Sequence, residues 1–190
     1  MEMMKKLETD KPEIPFNRSY WVIPEKLLAG CYPDSKNKTD ARQKFKRLIL
    51  SGIRHFISLM EPGEYDHSGN SFAPYVDQVE AIADSMKINV TFDQLPIKDL
   101  SVPSKKEMKR ILNQIDICLK YSKPVYVHCW GGKGRTGTVV GCYLVRHGYA
   151  SGKDAIDVIK ELRKGVKDHL MPSPETKPQI DMVLSWGEGE

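Results

Sequence analysis

The chain has few cysteines and no long apolar run, and each shortage removes a class of protein. Its four cysteines, Cys31, Cys118, Cys129 and Cys142, lie 87, 11 and 13 positions apart. These spacings fit neither a CxxC pair nor a zinc-ligand pattern, so a metal framework is excluded and a reduced, cytoplasmic setting is expected. No stretch approaches the ~20 apolar residues that cross a membrane, so no integral membrane association is expected. Met1 to Asp10 lacks the apolar segment of a secretory leader. Charge of one sign is also scarce: the net charge is +4, and the basic residues are scattered rather than clustered. That excludes nucleic acid as the expected partner while remaining compatible with an acidic substrate. Repeats, low-complexity tracts and linkers are absent, and 190 residues suit one domain.

What is present is an alternation of strand and helix patterns. Residues 1–18 are polar, carry Pro12 and Pro15, and are expected to form a lead-in to a single domain over 19–190. Strands are predicted at 19–23, 26–32, 53–60, 89–97 and 125–128. Helices are predicted at 39–50, 72–86, 104–121, 136–147, 151–164 and 174–186. The helix at 104–121 is the clearest, because Ser104 and Glu107 make a capping box and Met108, Ile111, Leu112, Ile115 and Leu119 share one face. The polar stretch 61–71 is predicted to be a loop. This order implies an α/β architecture with a largely parallel sheet.

The most informative segment is Val125-Tyr126-Val127-His128-Cys129-Trp130-Gly131-Gly132-Lys133-Gly134-Arg135-Thr136-Gly137. A short strand ends in His-Cys, a glycine-rich loop with no acid follows, and a helix begins. Such a loop presents backbone N–H groups and the positive end of a helix dipole to an anion. A thiol with an ordinary pKa near ~8.5 needs that help to become a nucleophile. Cys129 is therefore the candidate nucleophile and Arg135, with its planar fork, the candidate clamp for phosphate oxygens. Trp130, Gly131, Gly132, Lys133 and Gly134 complete the candidate phosphate cradle. Gly131, Gly132 and Gly134 are expected to supply the tight turn. Thr136 either donates its hydroxyl to the sulfur or caps the helix. His128 either braces the loop or is an ordinary core histidine. The departing oxygen needs an acid, and Asp99, in the loop before Pro103, is the candidate, with Asp93 the nearby competitor. No metal or other cofactor is expected.

His128-Cys129, Gly132 and Arg135-Thr136-Gly137 resemble the signature H-C-x-x-G-x-x-R-S/T-G of the cysteine-dependent protein tyrosine phosphatase superfamily. The segment Pro96-Ile97-Lys98-Asp99 with Pro103 resembles the general-acid loop of its dual-specificity members, and Leu27 to Pro33 is similar to their early strand and turn. Ser173-Pro174-Glu175-Thr176 with Gln179 resembles the late loop that positions water in some members, although a glutamine on a terminal helix is otherwise expected to be solvated. The resemblance implies a four- or five-stranded sheet flanked by helices. It also implies a phosphocysteine intermediate and action on phosphotyrosine, and on phosphoserine or phosphothreonine, in proteins. The alternative is a phosphoinositide or inositol-phosphate phosphatase of tensin-related type, since Gly-Lys-Gly-Arg-Thr ends the loop; Trp130 stands where those enzymes commonly carry a lysine. Asn17-Arg18-Ser19-Tyr20 is a partial echo of a phosphotyrosine-recognition loop. The fingerprint G-x-G-x-x-G, also satisfied by Gly132, Gly134 and Gly137, is set aside because no acid ends a following strand. A redox enzyme of arsenate reductase or rhodanese type and a non-catalytic phosphate reader are the rival classes. Cys118 and Cys142 are expected in the core, and Cys31 is a possible redox partner of Cys129. The lysines at 105, 106 and 109 and from 36 to 46 are expected on solvated helix faces.

Overall fold

A computed structural model describes residues 12–190, so residues 1–11 of the expected lead-in lie outside the described residues. Five strands form one sheet in the order β1-β2-β5-β3-β4: β1 (Ser19–Ile23), β2 (Leu27–Cys31), β3 (His55–Ser58), β4 (Thr91–Gln94) and β5 (Val125–Cys129). Only β1 runs antiparallel to its neighbour; the other pairings are parallel. The sheet is therefore five-stranded and largely parallel, flanked by helices as expected.

The period-2 alternation of the strands divides the core between two faces. Val125, Val127 and Cys129 of β5 belong to the larger apolar cluster, while Tyr126 packs in the smaller one. The smaller cluster is covered by α1 (Lys38–Leu50), through Ala41, Phe45, Leu48 and Ile49, and by α2 (Val76–Ser85). The larger is covered by α3 (Lys105–Lys120), α4 (Gly134–Arg146), α5 (Gly152–Leu162) and α6 (Lys177–Leu184). The capping box of α3 forms as its sequence implies: Glu107 N–H donates to Ser104 Oγ at 3.2 Å and Ser104 N–H to Glu107 Oε2 at 2.7 Å. Helix α4 is buried on almost every residue, which fits its nearly all-round apolar sequence.

Two helix starts near prolines differ from expectation. Helix α2 starts at Val76 rather than 72, because Pro74 drives Ala73 out of the helical region. Phe72 instead donates its N–H to Glu64 O at 3.0 Å, closing a small loop with a Tyr65–Ser71 bridge. Helix α6 starts at Lys177 rather than 174, at the Thr176 N-cap. Within 12–18, Phe16 is buried against the Tyr126 ring, 6.2 Å between centroids. Lys105 and Lys109 lie on an exposed helix face, as expected, and both reach Glu190 from it.

Candidate active site

The loop from Cys129 to Arg135 leaves the carboxyl end of β5 and enters α4, where ligands gather in open α/β sheets. Its carbonyls are bonded to donors from the surrounding structure. Trp130 O accepts from Tyr32 N–H at 3.0 Å and Gly131 O from Arg18 Nη2 at 3.0 Å. Lys133 O accepts from Gly137 N–H and from Ser173 Oγ, both at 2.8 Å. With the carbonyls committed outward, peptide planarity turns N–H groups the other way; Gly132 N–H donates to Cys129 Sγ at 3.3 Å. Arg18 and Ser173 thus shape the cradle from outside the motif.

The three loop glycines are not equivalent. Gly132 alone among them has a left-handed φ, +71°, and a Cβ there would lie 2.5 Å from the Gly30 carbonyl carbon of β2. Gly131 and Gly134 need no special φ, which corrects the expectation of a shared role; Gly134 is excluded from bearing a side chain by Glu175 and Gln179.

His128 is fully buried between Tyr75 and the loop. Its Nε2 lies 2.6 Å from Tyr75 Oη and its Nδ1 3.3 Å from Cys129 O. A carbonyl only accepts, so Nδ1 carries the proton and Nε2 accepts from the tyrosine. Burial, with the Arg135 charge adding to it, pulls the imidazole down to about 3 against the opposing bond to Cys129 O, and the ring stays neutral. The Thr136 hydroxyl points back to Gly30 O at 3.5 Å, toward β2.

Arg135 is 2 % exposed and heavily partnered. Glu64 grips it with both oxygens: Nη1 to Oε2 and Nη2 to Oε1, each at 2.7 Å. Nη1 also donates to Ile97 O at 3.1 Å, and Asp99 Oδ1 lies 3.0 Å from Nη2. Burial opposes the charge, but the Glu64 bond and the Cys129, Glu64 and Asp99 charges outweigh it and hold the guanidinium above its usual range. Nε, by contrast, is buried with no partner among the described residues. Glu64 was invisible in the sequence. It sits in a polar loop, 71 positions from Arg135, and only a buried guanidinium demanding a partner reveals it.

Asp99 stands at this cleft, whereas Asp93 lies on β4 and pairs with His55 Nε2 at 3.1 Å. Gln179 is fully buried rather than solvated: its Oε1 accepts from the N–H groups of Glu175 and Thr176, and its Nε2 donates to Ser101 O, all at 3.1 Å. Both ends of the amide are spent bracing the late loop against the Asp99 loop. The cleft encloses about 270 Å³ between Arg18, His67, Asp99, Trp130, Lys133 and Glu175, with Cys129 and Arg135 at its floor. Among the described residues no cluster of His, Cys, Asp or Glu is placed to hold a metal ion. Nor is any helix there long and apolar enough to cross a membrane. All four cysteines are free and buried, and Cys31 sits beside Cys129 in the β2–β5 register.

Comparison with known proteins places the fold and the family. The chain is 27% identical over 158 residues to the mouse (Mus musculus) dual specificity protein phosphatase CDC14B, covering 76% of this chain and 27% of that protein. It is 29% identical over 148 residues to phosphatidylglycerophosphate phosphatase PTPMT2 of Arabidopsis thaliana, covering 77% and 56%. The chain spans between about a fifth and a third of the length of the CDC14 relatives, at 27%, 35% and 22%. The crystal structure of Tk-PTP in its active form shares the fold, with a TM-score of 0.65 at 20% identity over 88% of this chain and 95% of that one. Residues 16–175 match the model of the Swiss Army Knife family, and with the cysteine–arginine loop in that matched span the chain belongs to PTP-SAK, the DSP-PTPase phosphatase domain family.

Proposed function

We propose that this protein hydrolyses phosphate monoesters through a phosphocysteine intermediate. Its substrates would include phosphotyrosine and phosphoserine or phosphothreonine in proteins, and residues 19–190 would act as one catalytic unit. The division of the Arg135 guanidinium carries this reading. Glu64 takes its Nη1–Nη2 edge and leaves Nε free of partners among the described residues, a donor suited to a phosphate oxygen. Nη2, shared with Asp99, would then exchange that carboxylate for a second phosphate oxygen.

In the first step the Cys129 sulfur attacks phosphorus and forms the S–P bond. The P–O bond to the leaving group breaks, its electron pair goes to that oxygen, and protonated Asp99 supplies the proton. Arg135 and the loop N–H groups stabilise the equatorial oxygens of the transition state. In the second step water attacks phosphorus, Asp99 takes its proton, and the S–P bond breaks to restore the thiolate. The chemistry needs no cofactor. Four free, buried thiols suit a reducing, cytoplasmic setting.

The second reading is a phosphoinositide or inositol-phosphate phosphatase. Lys133 at the cleft favours it, as does the name of the PTPMT2 relative. The test is phosphate release from a phosphotyrosine peptide, a phosphothreonine peptide, a soluble phosphoinositide and an inositol phosphate at matched concentrations. Acid-quenched samples are examined for phosphate on Cys129. Release from the peptides with labelled Cys129 supports the proposal; release without any cysteine adduct, or from none of the four, overturns it.

A further inference from the structure

The cleft has two features that the reaction itself does not require. First, every arginine and lysine among its described lining residues already has a carboxylate partner. Arg18 pairs with Asp168 at 3.3 Å, Lys133 with Glu175 at 3.1 Å, and Arg135 with Glu64 at 2.7 Å and Asp99 at 3.0 Å. Glu175 itself lies against the loop: a Cβ on Gly134 would stand 2.7 Å from its Oε2. A second phosphate on the substrate would meet this carboxylate rather than a free cation, and like charges repel.

Second, one wall is aromatic and fixed. The Trp130 indole meets the His67 ring edge-on at 4.3 Å and packs on Phe72 at 5.7 Å, and Phe72 packs in turn on Tyr32 at 4.9 Å. The same cleft is lined by Leu100, which is 59 % exposed although apolar. Leu100 sits at a left-handed φ of +57°. Its carbonyl accepts from Thr176 Oγ1 at 3.3 Å, while Gln179 holds Ser101 O at 3.1 Å. An exposed leucine in a strained conformation, tethered from two sides, is an arrangement that presents apolar surface to a bound group.

We propose that Trp130 and Glu175 set the specificity of this cleft: Trp130 favours a phosphate carried on a planar aromatic ring, and Glu175 disfavours a substrate bearing further phosphates. The proposal rests on the phosphatase reading above and names the ester class of that same site.

The test compares kcat/KM for a phosphotyrosine peptide, the same peptide with phosphothreonine, and a soluble inositol polyphosphate. The enzymes are the wild-type chain and its Trp130→Ala, Trp130→Phe and Glu175→Gln variants. Trp130→Ala is expected to reduce the phosphotyrosine-to-phosphothreonine ratio about tenfold, with most of the ratio kept by Trp130→Phe. Glu175→Gln is expected to raise inositol polyphosphate turnover about fivefold relative to the phosphotyrosine peptide. A merely structural role would lower all three substrates together and leave the ratios fixed, and that result overturns the proposal. Wild-type turnover of the peptides with ratios indifferent to Trp130 and Glu175 sinks only the specificity assignment. Absence of turnover on every ester overturns the phosphatase reading and this proposal with it.

Discussion

Glu64 and Arg135 form a two-pronged ion pair, with both carboxylate oxygens 2.7 Å from guanidinium nitrogens in a site where the arginine is almost wholly enclosed. The pair fixes the plane of the guanidinium and thereby the direction of Nε. Removing the carboxylate leaves a buried charge with weaker compensation. Glu64→Ala is expected to cost about 3 kcal/mol of stability and to lower kcat/KM at least ~100-fold. Glu64→Gln, which keeps one acceptor, is expected to fall between. Urea titration and steady-state kinetics on a phosphotyrosine peptide read both effects, and wild-type kinetics in a folded Glu64→Ala would refute the coupling.

Asp99 and Asp93 give opposite forecasts for the acid. Asp99→Ala is expected to slow turnover about 100- to 10,000-fold for alkyl phosphates, whose leaving oxygen needs a proton, and much less for a nitrophenyl ester. Asp93→Ala should leave that dependence on the leaving group unchanged, since Asp93, on β4, pairs with His55 of β3. Rates across a series of leaving groups decide the matter; a steeper dependence in Asp93→Ala than in Asp99→Ala would transfer the role.

The other three thiols are held protonated by burial: Cys31 is pushed up to about 11, and Cys118 and Cys142 are also raised. Iodoacetate near neutral pH is therefore expected to label Cys129 first, and vanadate to protect it. Cys129→Ser should abolish turnover while retaining phosphate binding. Peptide mapping after a short exposure provides the readout, and uniform labelling of all four thiols, or no protection, would contradict the site.

His128 links stability to pH. Its folded value of about 3 lies below the ordinary ~6.5 of an unfolded histidine, so the unfolded chain binds a proton that the folded one refuses. The folded state is accordingly expected to lose stability as pH falls below about 6.5, at up to ~1.4 kcal/mol per pH unit down toward the folded value. His128→Gln, whose amide oxygen still accepts from Tyr75, removes this contribution. Denaturation midpoints of the two proteins should converge as the solution is acidified; parallel curves would show that the imidazole is not the group responsible.

The order of elements, the capping box of α3, the buried helix α4 and the cysteine–arginine loop were all legible in the chain. Each is written locally: apolar period, cap residues, and a strand, loop and helix in consecutive positions. Boundaries beside prolines were less so, as at Pro74, where a helical apolar period continues into residues that the backbone cannot make helical. Gln179 was misplaced on the surface because its partners, Ser101 O and the Glu175 and Thr176 N–H groups, meet only when α6 docks on the Asp99 loop.

Sequence alone supplied the candidate chemistry: a thiol, a fork of positive charge and three glycines within seven consecutive positions, because a phosphate cradle is built from one continuous backbone segment. The tertiary structure decided what surrounds that cradle. Glu64 on Arg135, Tyr75 on His128, Glu175 on Lys133 and His67 against Trp130 join residues far apart in the chain. Their pairing follows from the cost of leaving buried charge and polar groups unmatched, which is settled only once the sheet and its helices have closed around them.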